Sequence, residues 1–381
     1  MAGCDRIFLS DIREKDTGDD VQNSVPVDPS APGDPALSTP GTGTPSAPGD
    51  PALSTPGTGT PSVPGNPAPS TPGTGTPSPP PPPSTPAWYV SANGAEANSG
   101  TDPAKPLASV QAALSRIKTA YKGGKWPAGE SAVIVVSGTI TASGSFGNNM
   151  SMVDVSGAGN YPPVILKGDP VQKGVLNANR NSNNEGRVLY IGNNKVTLGE
   201  NLTLTGGYTV WGGGVLVGTA GSESAGEFVM AGGEISGNTG QAGGGVMVYK
   251  GSMTMTGGII HHNTNTDYSN TPGDGGGVYV SDYTSFTLSG GTIRENGGAK
   301  TAKGGGVCVN GEALFTMTGG EILNNSSTQE GGGVRVTGYG QFFFSGGTIS
   351  GNTSAVDGAV SVSPYGGVFI QTGGTISGNT P

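Results

Sequence analysis

The chain has 381 residues, 72 of them glycine and 30 proline, and only 12% are charged, with 18 Lys and Arg against 27 Asp and Glu. That slight acidic balance is the wrong sign for a nucleic-acid surface, and no run of about 18 apolar residues is present that would cross a membrane as a helix. Two cysteines, Cys4 and Cys308, are too few for a disulfide framework. The only histidines, His261 and His262, are chain neighbours. On a strand such neighbours point to opposite faces, so they are expected as polar turn residues, and neither a metal nor a cofactor is expected.

The first four residues, Met1-Ala-Gly-Cys4, resemble the end of a bacterial lipoprotein signal, where a small-residue pair precedes the cysteine that receives lipid. The charged start and apolar segment of such a signal are missing upstream. The resemblance therefore implies a start placed too late or a trimmed chain; the bland alternative is a cytosolic N-terminus. Residues 5–86 suit a tether. The stretch Ala31–Ser46 is copied identically at 47–62 and with changes at 63–78, and Pro79 to Pro83 form an unbroken run. Such sequence has almost nothing to bury and is expected to be disordered or polyproline-like. At roughly 3 Å per residue, a tether of about 80 residues reaches on the order of 200 Å.

Order is expected from Trp88. The segment Tyr89–Leu107 resembles the opening of many bacterial right-handed parallel β-helix proteins, in which a strand and a polar loop precede a capping helix. A helix is predicted from Ser109 to about Lys122, because Leu107, Val110, Leu114, Ile117 and Tyr121 recur at three- and four-residue steps. Residues 87–130 thus form a first strand and a helix that covers the exposed core and unpaired edge of the first rung. Ala132–Val136 with Ile140, Val164–Leu166, Val188–Ile191, Val196 with Leu198, and Leu202 with Leu204 read as strands of two or three degenerate rungs over 131–205.

From Gly206 to Pro381 one pattern is written six times. Each copy opens on a glycine run and two alternating valines, such as Gly275-Gly-Gly-Val278-Tyr-Val280, and the leading valine recurs after 31, 32, 29, 27 and 26 residues. Each closes on Gly-Gly-x-Ile-x-x-Asn, at Asn238, Asn263, Asn296, Asn325, Asn352 and Asn379. Self-similarity at this period marks a solenoid. Three short strand-like phrases per copy, large apolar residues at alternating positions (Phe228/Met230 through Phe342/Phe344), and no helical stripe after residue 125 predict an all-β, right-handed parallel β-helix of three strands per rung over 131–381. The asparagines are expected to stack as a structural ladder of side-chain amides, taking left-handed corners themselves. The last closing phrase is followed only by Thr380-Pro381, and Gln371 takes an inward place held elsewhere by Met or Phe. The array is therefore expected to be truncated, or finished by another chain.

Alternating Gly-Gly-[small/apolar]-[apolar] and apolar-x-x-Asn phrases resemble the repeats of polymorphic outer-membrane proteins of chlamydiae, and related β-helix surface proteins of spirochaetes and gut bacteria. Here Ile stands where that family usually has Phe, as in Ile235-Ser-Gly-Asn238. The resemblance covers roughly residues 206–381 and implies a fold and a surface habit. That family ends in an outer-membrane β-barrel, and no alternating, aromatic-rich barrel sequence is present here.

Two columns can carry chemistry. The residue between the valines reads Leu216, Met247, Tyr279, Cys308, Arg335, Ser361, and is expected on the outer face. The residue before each glycine run reads Trp211, Ala242, Asp274, Lys303, Glu330. Stacking would set Asp274, Lys303 and Glu330 about 5 Å apart in succession; with Tyr279 and Arg335 they form the candidate ligand-binding patch. Acid alternating with base is also what a solvated ion-pair ladder looks like. Two functions follow. One is a non-catalytic, adhesin-like scaffold, lipid-anchored at the cell surface or outer membrane, or secreted, that binds a carbohydrate or protein. The alternative is a polysaccharide lyase or glycoside hydrolase working on the outer face.

Overall fold

A computed structural model describes residues 87–144, 146, 150–157, 159–218, 225–267, 273–281 and 283–381. Cys4 and the 5–86 tether lie outside the described residues. Among the described residues no helix is long and apolar enough to cross a membrane.

The first strand, β1 (Ala87–Ser91), pairs in parallel with β2 (Ala132–Thr141), Trp88 opposite Ile134 and Val90 opposite Val136. Between them runs α1 (Val110–Lys122). Its N-cap is Ser109, whose hydroxyl accepts from the Ala112 N–H at 3.2 Å, satisfying one orphan donor of the first turn. The apolar stripe is used as spaced: Leu107, Val110, Leu114 and Ile117 are buried in the solenoid core together with Ala113. Tyr121 stays half-buried and meets Trp126 edge-on at 6.5 Å, while Trp126 stacks on Trp88 at 5.5 Å.

Beyond this end the named strands pair in parallel, and the rungs keep register in the three main columns, with a shift at Gly273/Asp274 in a short side sheet. The fold is the expected parallel β-helix. In the first column Phe228, Met253, Phe286, Phe315, Phe342 and Phe369 lie opposite one another. Their rings stack at 4.9 Å (Phe286–Phe315), 4.5 Å (Phe315–Phe342) and 5.0 Å (Phe342–Phe369). The second column stacks Ile235, Ile260, Ile293, Ile322, Ile349 and Ile376. The third is an eight-stranded sheet in which the valine pairs superimpose from Val215/Val217 to Val360/Val362. Each fully buried side chain of this kind contributes about 1.5–3 kcal/mol over leaving it exposed. The glycine runs stack as well: a Cβ on Gly277 would lie 2.6 Å from the Gly306 carbonyl oxygen of the next rung.

The three expected strands are present in each rung, and four successive rungs add a short fourth. A short fourth strand is inserted between the second and third columns at Tyr208–Trp211, Thr239–Ala242, Thr264–Asn265 with Gly273–Asp274, and Thr301–Lys303. Segments such as Thr239-Gly-Gln-Ala242 carry no apolar alternation, so period-2 reading passes over them.

The asparagine ladder spans six rungs. Each side-chain amide bonds in both directions: Asn296 Nδ2 donates to the Ile260 carbonyl at 2.9 Å and to Asn325 Oδ1 at 3.0 Å. Asn296 Oδ1 in turn accepts from the backbone N–H and Nδ2 of Asn263 at 3.1 and 3.0 Å. The left-handed residue at this corner is not the asparagine but the one before it: Gly237, His262, Glu295, Asn324, Gly351 and Gly378, with φ from 52° to 66°. That placement overturns the expectation for the histidines. With His262 at φ 52°, strand alternation ends at His261, and the two rings meet on one side with their Nδ1 atoms 2.7 Å apart.

Asn296→Ala would leave the buried Asn263 N–H without an acceptor, at about 1–3 kcal/mol, and would take one of three acceptors from Asn263 Nδ2. Thermal melting should show a loss of several degrees, and Asn379→Ala, at the half-exposed last rung, less than half of it. Equal losses at both positions would show that the ladder does not carry the corner.

Candidate functional site

The first glycine of each run fixes the geometry of the candidate patch. Gly275 and Gly304 have φ of 66° and 63°, and a Cβ on either would lie 2.6 or 2.5 Å from the carbonyl oxygen of Val278 or Val307. Only glycine lets the chain fold so tightly onto the strand that follows. The bend sets two columns side by side along the solenoid. One is Trp211, Ala242, Asp274, Lys303 and Glu330, each in register with the next. The other is Leu216, Met247, Tyr279, Cys308, Arg335 and Ser361.

The second column is not on an open outer face. Met247 and Cys308 are 1% and 0% exposed, and Leu216, Tyr279, Arg335 and Ser361 are all buried. With Tyr190, the apolar members make a second small core outside the prism, packed by Trp211, Ala242 and Tyr249. The physical reason is the fourth strand, which brings the first column against the second. The result is a seam: Tyr279, Cys308 and Arg335 are its floor, and half-buried Asp274, Lys303 and Glu330 its rim.

All five candidate residues belong to this seam. Arg335 Nη2 pairs with Glu330 Oε2 at 2.9 Å, and Arg335 Nη1 donates to the Ser361 hydroxyl at 2.9 Å. The Tyr279 hydroxyl accepts from Asn310 Nδ2 at 2.7 Å. This is not a solvated ladder, because the Arg335 side chain is only 6% exposed. Removing Glu330 would leave a buried guanidinium without its carboxylate, which costs far more than breaking an exposed pair.

Burial, above all, pushes the Asp274 carboxyl up to about 6. Lys303, through its charge and a backbone hydrogen bond, and Arg335 pull it back, and Glu330 raises it further. Burial also pushes the Cys308 thiol well up, Asp274 adds to this, and Lys303 and Arg335 oppose it. Cys308 lacks an acidic partner in the sequence around it, yet Asp274 faces it in space. Burial first, and then that neighbour, disfavour the thiolate, the nucleophilic form of the side chain.

Sequence reasoning missed the aromatic end of the seam. Trp211 stacks on Tyr249 with ring centroids 6.0 Å apart and planes 9° from parallel, both rings half-buried. The Arg187 guanidinium lies 5.9 Å from the ring of Tyr190 in the same cluster. The available signal was Trp211 heading the column that continues to Asp274. Two surface depressions, one among residues 356–381 and one beside Lys173, Glu200 and Glu234, lie away from the seam.

No protein-family model matches the chain, and no curated protein matches it. Among solved structures, the crystal structure of native GH136 lacto-N-biosidase from Eubacterium ramulus aligns over 77% of this chain and 68% of its own, at 11% identity and a TM-score of 0.24. A similarity of that size assigns neither a substrate nor a reaction to this chain.

The Asp274 carboxyl gives the seam a measurable pH signature. Its ordinary value is 3.8 and its folded value about 6, so the folded chain holds this proton more tightly than the unfolded one. Its contribution to stability is present at low pH and is lost as pH rises from about 4 to about 6. The melting temperature of the wild type should fall across that window relative to Asp274→Asn, in which this component is absent. Parallel curves would mean that the carboxyl ionises as if in water.

Proposed function

We propose that the protein is a non-catalytic carbohydrate-binding scaffold displayed at a cell surface, with the seam as its binding face. The observation that carries this reading is one register-locked column that changes character along its length. It begins at the Trp211–Tyr249 stack and ends at Asp274, Lys303 and Glu330. Five rungs at about 4.8 Å make a strip of roughly 19 Å, open along one side and suited to an extended ligand. Flat aromatic faces accept the apolar faces of sugar rings, and convergent charged groups fix hydroxyl or acidic substituents.

Surface display rests on the sequence. The resemblance to chlamydial polymorphic outer-membrane proteins, the cysteine at position 4 and the proline-rich 5–86 segment support an anchored domain held away from the membrane. A protein ligand is the competing occupant of the same strip. Hydrolysis is favoured by one observation: Asp274, with its carboxyl at about 6, shares a column with Glu330, one rung between them, and glycosidases use paired carboxylates of unlike protonation.

Binding to a panel of immobilised polysaccharides should be saturable, and Trp211→Ala and Lys303→Ala should each weaken it at least tenfold. Absence of saturable binding, or binding indifferent to both variants, would sink the carbohydrate reading. Release of reducing ends that stops in Asp274→Asn would replace binding by hydrolysis. The anchor is checked apart: Cys4→Ser should move the protein from the membrane fraction to the soluble one.

A further inference from the structure

The corner that precedes each ladder asparagine is occupied by Gly237, His262, Glu295, Asn324, Gly351 and Gly378. Glycine takes left-handed φ without cost and asparagine takes it readily. Histidine and glutamate at successive rungs are therefore departures from what the corner needs, at φ 52° and 54°. The two corners are backbone neighbours, the His262 N–H donating to the Glu295 carbonyl at 3.1 Å. The preceding position adds His261, in register with Arg294.

These side chains converge. The imidazole Nδ1 atoms of His261 and His262 are 2.7 Å apart, the rings nearly perpendicular at 81°. One nitrogen from each ring and a carboxylate oxygen of Glu295 all lie within 4.8 Å of one another. A carboxylate stands behind the first ring, His261 Nε2 lying 3.7 Å from Glu234 Oε2, while Glu295 Oε2 lies 3.5 Å from His262 Nε2. A carboxylate behind a ligating imidazole orients the ring and raises its basicity.

We propose that His261, His262 and Glu295 form a binding site for a divalent transition metal of the imidazole-preferring class, Zn2+, Ni2+ or Cu2+, with Glu234 orienting His261 from behind. Imidazole with carboxylate is a donor set these ions accept. On a tetrahedral ion with bond lengths of about 2.1 Å two nitrogens lie about 3.4 Å apart, so the two Nδ1 atoms, 2.7 Å apart here, part by about 0.7 Å to share it. The competitor is Arg294, whose guanidinium pairs with Glu295; the ion displaces it from that carboxylate. The remaining coordination positions are open to water or to a ligand. The site lies on the second column and is independent of the seam.

The test is calorimetric titration of the untagged full chain with zinc and with nickel chloride. A single site per chain is expected. The pair His261→Gln with His262→Asn should abolish it while melting no lower than the wild type, because asparagine suits the left-handed corner. Glu234→Gln should weaken binding roughly tenfold, the usual effect of removing a carboxylate behind a ligating histidine. Arg294→Gln should tighten it. The proposal is overturned if the wild type takes up no metal, or if the histidine pair variant binds as tightly as the wild type.

Discussion

A side-chain amide buried at every rung corner must find partners on both sides, and that requirement sets the rest of this structure. Asn263, Asn296, Asn325 and Asn352 each donate forward to the next amide and back to the isoleucine carbonyl of the rung before. Such bonds exist only if all rungs share one register. A slip of one residue would strand buried donors at every corner and turn every valine, isoleucine and phenylalanine out of the prism. Hydrophobic burial supplies most of the stability, but the amides decide which stacking is stable. The low charge of the chain follows, because few positions in a rung are free of architectural duty.

Variation is therefore confined to positions where a rung tolerates any side chain, and these positions stack into columns because the rungs pair strand on strand. The seam and the histidine corner are two such columns. At the seam, neighbouring rungs place aromatic, acidic and basic groups one strand spacing apart. At the corner, a backbone conformation made for glycine turns adjacent side chains to the same side. In both places the chemistry-bearing residues are those that break the repeat, and the repeat holds them in place.

How much of this was legible in the sequence depended on whether a feature repeats. The fold, the helix over Val110–Lys122 and the asparagine stack were readable because periods of 3.6, 2 and about 30 residues each leave a pattern. The fourth strand was not, since Thr239-Gly-Gln-Ala242 and Thr301-Ala-Lys303 share no hydrophobic alternation. The left-handed corner was hidden because its six occupants are chemically unlike, and with it the meeting of His261 and His262. Asp274, Lys303, Glu330, Tyr279 and Arg335 could be grouped from spacing alone. Their burial could not, because it depends on which way the chain turns at Gly275 and Gly304.

That burial changes what the seam charges are worth. Two unit charges one strand spacing apart interact by about 1 kcal/mol in water, and by about 3.5 kcal/mol at the effective dielectric of a partly buried site. Asp274, Lys303, Glu330 and Arg335 lie in the second regime, as the raised Asp274 carboxyl records. On a flexible surface, side chains this strongly coupled would collapse onto one another and would have to be pulled apart by any ligand. Here the strands hold them at fixed spacing, with Arg335 anchored to Ser361 and Glu330 below the rim. In the proposed binding role, a ligand that matched the spacing would meet groups already ordered and already partly stripped of water, so part of the ordering and desolvation that weaken binding at ordinary surfaces would have been met by folding.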